Sequence, residues 1–182
     1  TEVMGKKMPN TAAQKLSFEK NPSLRSIFEQ LFKYGGFPEP FTKQDDIVLK
    51  RWHQERLDRL MKEDIREVEL IRDLTQLEIL ADMLPERVGS PISLNNLRQD
   101  LDVAHKTIKL WMDILERFYY HYRISPYQGK RIRSLKKEQK LYLWDWSEIS
   151  DEGKRFENMI GSHLLKYCHF LEQSFGEKIQ LN

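Results

Sequence analysis

Two apolar stripes at helical spacing stand only three residues apart near the middle of this chain, and that closeness limits the possible folds more than any other feature. Leu94, Leu97 and Leu101 form the first stripe, with Ser93 placed to cap it. After Asp102-Val103-Ala104, a second stripe resumes at Ile108, Trp111, Met112, Leu115 and Phe118. Helices joined this tightly cross at a steep angle and share one core. Upstream, Leu70, Leu74, Leu77, Ile79, Leu80 and Leu84 predict a helix that Pro85 stops, and Gly89-Ser90-Pro91 reads as a turn. Downstream, Tyr119 to Tyr127 has strand composition, with Tyr120, Tyr122 and Ile124 alternating. Gly129 to Gln139 suits a hairpin tip, and Lys140-Leu141-Tyr142-Leu143-Trp144-Asp145 returns as a second strand, which should set Tyr122 and Ile124 opposite Leu141 and Leu143. Helix, short helix, tight connection, longer helix and hairpin, in that order, are the plan of a winged helix-turn-helix, expected over residues 69–146.

The flanks read as helical. Residues 1–22 are polar and weakly patterned, and are expected to be a flexible N-terminus. Ser23 is placed to cap a helix with Leu24, Ile27, Phe28, Leu31 and Phe32 on one stripe, ended by Gly35-Gly36. The two prolines and two aromatics from Gly36 to Phe41 suggest a stiff turn. Thr42-Lys43-Gln44-Asp45 resembles a capping box for a charged helix running to about Glu67, with Leu49, Trp52, Leu60 and Met61 on its apolar side. Glu55→Arg59 and Asp58→Lys62 are spaced for ion pairs on its opposite face. A last long helix starts near Asp151 or Glu152, with Phe156, Ile160, Leu164, Tyr167, Leu171 and Phe175 on one face. The fold class is therefore mostly α with a small β-hairpin.

Charge is nearly balanced, 30 Lys and Arg against 28 Asp and Glu, so any claim on nucleic acid must come from local clustering. Such clustering occurs twice. The longer helix of the tight pair opens with His105, Lys106, Thr107 and Lys109, mainly off its apolar stripe. The hairpin tip carries Lys130, Arg131, Arg133, Lys136, Lys137 and Lys140 against the single acid Glu138. A helix start of this kind can enter a groove while a basic wing follows the phosphates. Basic tips are also common as plain solvated turns, and Asp113 and Glu116 give the same helix a mixed charge.

Catalytic and cofactor patterns are missing. The chain holds no phosphate-binding loop, no Gly-x-Gly-x-x-Gly and no Gly-x-Ser-x-Gly. The histidines at 53, 105, 121, 163 and 169 never form His-Glu-x-x-His, and His163 and His169, six apart, are not expected to share a helix face. Cys168 is the only cysteine, which excludes an intrachain disulfide and reads as a buried thiol. Asp151, Glu152 and Glu157 make an acidic helix start that suits the helix dipole. No apolar run approaches the length of a membrane span. No catalytic residue, metal or cofactor is expected in this chain, and it reads as cytoplasmic.

Several spaced strings carry a family resemblance: Gly35-Gly36-Phe37-Pro38-Glu39-Pro40-Phe41, Arg51-Trp52, Lys62-Glu63-Asp64-Ile65, Leu84 through Pro91, Thr107 with Trp111, Leu115-Glu116, Arg123 through Tyr127, Lys140-Leu141-Tyr142 with Asp145, and Phe156-Glu157-Asn158. From about Phe28 to Leu165 they resemble the C-terminal region of prokaryotic AAA-type ATPases, the domain of unknown function 4143. The resemblance implies an ATP-binding domain ahead of this region as its partner, with ATP and magnesium needed only there. It implies a helical lid-like segment at 23–68, the winged helix at 69–146, and at 147–182 the start of a truncated endonuclease-like module in which Glu157 matches a metal-binding position. Arg51 and Arg66 would then lie within reach of a neighbouring nucleotide. On this basis the chain is expected to be a non-catalytic regulatory or adaptor fragment coupling nucleotide state to a protein or DNA partner. The alternative is a stand-alone winged-helix DNA-binding protein acting as a transcription factor.

Overall fold

A computed structural model describes residues 22–65, 73–126, 138–176 and 181. The described chain is mostly helical, with one two-stranded antiparallel hairpin and a long C-terminal helix. The N-terminal stretch before Pro22, residues 66–72 including Arg66, and the hairpin tip at 127–137 lie outside the described residues.

The N-terminal helices form for local reasons. Helix α1 spans Ser23–Tyr34, with Pro22 and not Ser23 at its cap position, and Gly35 ends it at φ +80°. The stretch expected to be a stiff turn is instead a short helix, α2 (Pro38–Lys43). Both prolines fall in its first turn, where a missing N–H breaks no helical bond. The expected capping box is not formed either. Asp45 alone caps α3 (Asp46–Arg59), accepting from the amides of Ile47 and Val48, while the Thr42 hydroxyl turns back to the Pro38 carbonyl. A π-helical turn, Leu60–Ile65, continues α3 and buries Leu60, Met61 and Ile65. Asp58 pairs with Lys62 as expected, at 2.9 Å, but Glu55 pairs with Arg51 and not with Arg59.

The tight helix pair is present. Asp73 caps α4 (Leu74–Met83), and a 3-10 turn at Pro85–Arg87 follows it. Ser93 caps α5 (Leu94–Asp100) through the Asn96 amide. The connection at Asp102–Ala104 leads directly into α6 (His105–Arg117). Leu97, Leu101, Ile108, Trp111, Met112 and Leu115 all enter one apolar cluster, joined by Leu77 and Leu80 of α4 and by Met61 and Ile65.

Strands β1 (His121–Ile124) and β2 (Lys140–Leu143) form the hairpin one register step away from expectation. Tyr122 lies opposite Tyr142, and Arg123 opposite Leu141. A one-residue slip turns every side chain to the other face. It is tolerated here because the hairpin is covered on both faces, so burial does not alternate: Tyr120, His121 and Tyr122 are all buried. Strand β2 is also paired along both edges. Its outer edge takes backbone bonds from residues 89–92, expected only as a turn, with the Gly89 amide donating to Leu141 and the Ile92 amide to Gln139. Further along, the Asn158 side chain bonds both the amide and the carbonyl of Leu143 at 2.7 Å, as a strand residue would.

That asparagine belongs to α7 (Glu152–Phe175), capped by Asp151. Of the stripe that shares one face, Phe156, Ile160 and Leu164 are each 40–47% exposed, while Leu171 is buried. The buried face carries Asn158, Met159 and Ser162 instead, because Asn158 and the Tyr122–Ser162 hydroxyl pair (2.9 Å) dock the helix on the hairpin by hydrogen bonds. Among the described residues no helix is long and apolar enough to cross a membrane.

Candidate nucleic-acid interface and a buried polar tether

Helix α6 presents its N-terminal half to solvent. Its stripe of Ile108, Trp111, Met112 and Leu115 is buried, which leaves His105, Lys106 and Lys109 exposed on the opposite side and Thr107 half-buried. His105 and Lys109 are one turn apart, and Lys106 and Lys109 share the same flank. The cap residue Ala104 has no side-chain acceptor, so no side chain caps the first turn of α6, and the Thr107 amide donates to the Ala104 carbonyl at 2.9 Å. Of the residues expected on a basic wing, Lys130, Arg131, Arg133 and Lys136 lie outside the described residues.

The acids that gave α6 its mixed charge are held from behind. Arg123 of β1 donates to Asp113 at 2.8 Å and, through two nitrogens and its own amide, to Glu116. Arg123 is 15% exposed and its partners 35–44%. One half-buried guanidinium therefore bonds both acids of the helix and offsets one of their two negative charges. No helical periodicity signals this contact, because it joins α6 to a strand.

Glu157, matched by the resemblance to a metal-binding position, has two partners within the chain. It accepts from the Tyr142 hydroxyl at 2.8 Å and pairs with Lys140 at 3.1 Å. Burial raises its pKa, but those two donors outweigh burial and hold the carboxyl below its ordinary range. Among the described residues no three His, Cys, Asp or Glu side chains converge as a metal site. Arg51, expected near a nucleotide, is paired on the surface with Glu55. Cys168 is half-buried, and burial, with the charge of Glu172, pushes its thiol up.

A second constellation escaped the sequence reading altogether. Trp52, His53 and Arg56 of α3 reach the 3-10 turn at Trp146–Glu148 that follows β2. Asp145 is fully buried and accepts from the Trp52 indole at 3.3 Å and from the amide and hydroxyl of Ser147. His53 Nε2 meets the Ser147 hydroxyl at 2.9 Å but stands 3.9 Å from Asp145. These are the residue types of a nucleophilic triad in a different arrangement. In a triad the histidine accepts the serine proton and the aspartate orients the histidine. Here the serine donates to the aspartate, so His53 Nε2 donates to the serine oxygen, and Ser147 is 7% exposed. Burial, together with Arg56 and Arg155, lowers the His53 pKa against the pull of Asp145, which keeps the ring neutral.

Beside it, Arg56 pairs with Glu148 at 2.9 Å, donates to the Tyr119 carbonyl and lies over the rings of Phe37 and Tyr120. Tyr120 donates its hydroxyl towards Glu148 and the Ala81 carbonyl. Burial and the charge of Asp145 raise Glu148 to about 7, against the opposing pull of Arg56 and Tyr120. The geometry is that of a tether fixing α3 to the base of the hairpin. The sequence held one signal for it: Trp52 and Arg56 are a turn apart on the side counted as apolar.

Comparison with known proteins overturns the expected kinship. No solved structure matches the chain. The family model that matches is not the ATPase-associated domain of unknown function 4143, and nothing connects it to AAA-type ATPases. The strings that suggested that kinship are short, and the structure gives many of them local duties: Gly35 and Gly36 close α1 against Asp145 and Trp146, and Glu157 holds Tyr142. The lid, the nucleotide-facing arginines and the truncated nuclease module lose their ground with it. The matching model is described as a domain of unknown function, DUF8612, and covers residues 25–147, about two-thirds of the chain, from within α1 through the hairpin to Ser147, so the chain belongs to the DUF8612 family.

Proposed function

We propose that the segment from α4 through β2 is a winged helix-turn-helix and that it serves as a non-catalytic nucleic-acid-binding module. The order of elements and the three-residue connection between α5 and α6 support the first part. The observation that carries the second is the exposed cationic start of α6, with Arg123 offsetting the acids further along the same helix. The basic residues at 130–137 add five positive charges to the loop between β1 and β2. Contacts of this kind act mainly on phosphates, so they position the protein on a duplex more than they read its sequence. The first turn of α6 carries no Arg or Asn suited to bidentate base contacts.

The test is binding of a labelled DNA duplex at low salt, followed by anisotropy. Wild-type protein should bind, and Lys106→Ala with Lys109→Ala should weaken binding at least about tenfold, as two lost phosphate contacts imply. Arg131→Ala with Arg133→Ala should weaken it similarly. No binding by the wild type at low salt would exclude the reading.

A further inference from the structure

A cleft of about 630 Å³ opens between the C-terminal half of α7 and the residues that follow β2. Its size falls within the range of small-molecule sites. Its walls are aromatic: Phe37, Trp144 and Trp146 on one side and Phe170 on the other. Phe170 is 58% exposed although it is a large apolar ring. The polar groups come from one face of α7, where Ser162, Lys166, His169 and Gln173 recur at helical spacing.

The charge of the lining is one-sided. No carboxylate lines the cleft among the described residues. Among those residues Lys166 has no ion-pair partner and His169 no hydrogen bond, and both are exposed. His163 is already committed: its Nδ1 donates to the Met159 carbonyl at 2.8 Å and its ring leans on Trp146 at 5.6 Å. The Trp146 indole is likewise bound to the Leu31 carbonyl, which fixes the wall it forms. Lys166 and His169 are thus left as donors at the edge of a fixed aromatic wall. His163 and His169, expected on different faces, both border this one cleft.

We propose that the cleft binds a small planar aromatic acid, its ring between the aromatic walls and its carboxylate on Lys166 and His169. Flat rings gain from stacking on indole and phenyl faces, and a cationic edge without acids selects a negative group. None of the α6 or wing residues of the proposed nucleic-acid interface lines this cleft, so the two proposals stand or fall separately.

The experiment titrates the full chain with 2-naphthoate by calorimetry, beside 2-naphthamide, which keeps the shape without the charge. 2-Naphthoate should bind saturably, and the amide at least about tenfold more weakly, as expected for a lost charge-assisted hydrogen bond. Lys166→Gln should erase that preference, and Phe170→Ala should weaken both ligands. Lys166 and Phe170 are both exposed, so neither change threatens the fold, and Lys50→Gln on α3 serves as an unaffected control. No saturable binding up to roughly 10 mM, the limit of useful affinity, would overturn the proposal. Equal binding of acid and amide, or unchanged acid binding by the Lys166 variant, would do the same.

Discussion

Arg123 on β1 bonds Asp113 and Glu116 on α6 at once, and so offsets part of the acidic charge of a helix whose exposed start is basic. The arrangement ties the charge of α6 to the docking of the hairpin. Arg123→Gln should therefore weaken duplex binding although Arg123 lies behind the exposed face, because two acids would be released beside Lys109. It should also cost about 1–3 kcal/mol of stability, less than a fully buried pair because the acids are partly exposed. Anisotropy and urea unfolding of the same variant check both effects. Unchanged binding would sever the clamp from the interface.

Arg56 and Glu148 test the tether. Both are about 85% buried, and removing one partner strands the other. Arg56→Ala should cost about 2–4 kcal/mol in urea unfolding. The double variant Arg56→Ala with Glu148→Gln should cost less than the sum of the two singles. Additive losses would mean that the pair is not coupled in solution.

The pH dependence of stability separates two buried groups of opposite sign. Burial, with the charge of Arg123, lowers His121 to about 3 from 6.5, its Nε2 donating to the Met112 carbonyl while Nδ1 has no hydrogen-bond partner among the described residues. Between those values the unfolded chain holds more protons, so this group makes stability rise with pH from about 3 to 6.5, by on the order of 5 kcal/mol. Glu148 is raised to about 7, so between about 4.5 and 7 the folded state holds more protons and this group makes stability fall with pH. The two oppose each other where their windows overlap. Glu148→Gln should steepen the rise of stability with pH, and His121→Gln should flatten it. Urea midpoints from pH 4 to 7 read this directly, and parallel profiles for the two variants would contradict it.

Gly35 and Gly176 both lie at positive φ but differ in surroundings. A Cβ on Gly35 would stand 2.7 Å from Asp145 Oδ1, whereas nothing lies within 4 Å of one on Gly176. Gly176→Ala should cost only the backbone strain, about 1–2 kcal/mol. Gly35→Ala should cost more, because Asp145 cannot move without breaking its bonds to Trp52 and Ser147. Thermal unfolding ranks the two, and equal losses would argue against a rigid Asp145.

Local signals in the sequence carried most of the elements. Ser93, Pro85, Gly35 and the helical stripes of α5 and α6 act on neighbours a few residues away, so their effects are readable in order along the chain. The hairpin register was not readable, since a strand covered on both faces loses the alternation that would fix it. The orientation of α7 was not legible for a related reason: Phe156, Ile160 and Leu164 stay exposed while Asn158 and Ser162, polar residues, dock the helix through hydrogen bonds. The exposed start of α6 followed from its apolar stripe. The Arg123 clamp and the tether join residues 7 to 94 positions apart, and no pattern within one element encodes such pairs.

The salt dependence of duplex binding tests the nucleic-acid reading most directly. Log affinity should fall linearly with log salt, and each phosphate-bound lysine removed should make the slope shallower by about 0.9. Lys106→Ala with Lys109→Ala should therefore lower the slope by roughly 2 while leaving the fold intact by circular dichroism. A wild-type affinity that does not respond to salt, or a slope unchanged by the double substitution, would contradict the assignment of α6 as the phosphate-contacting helix.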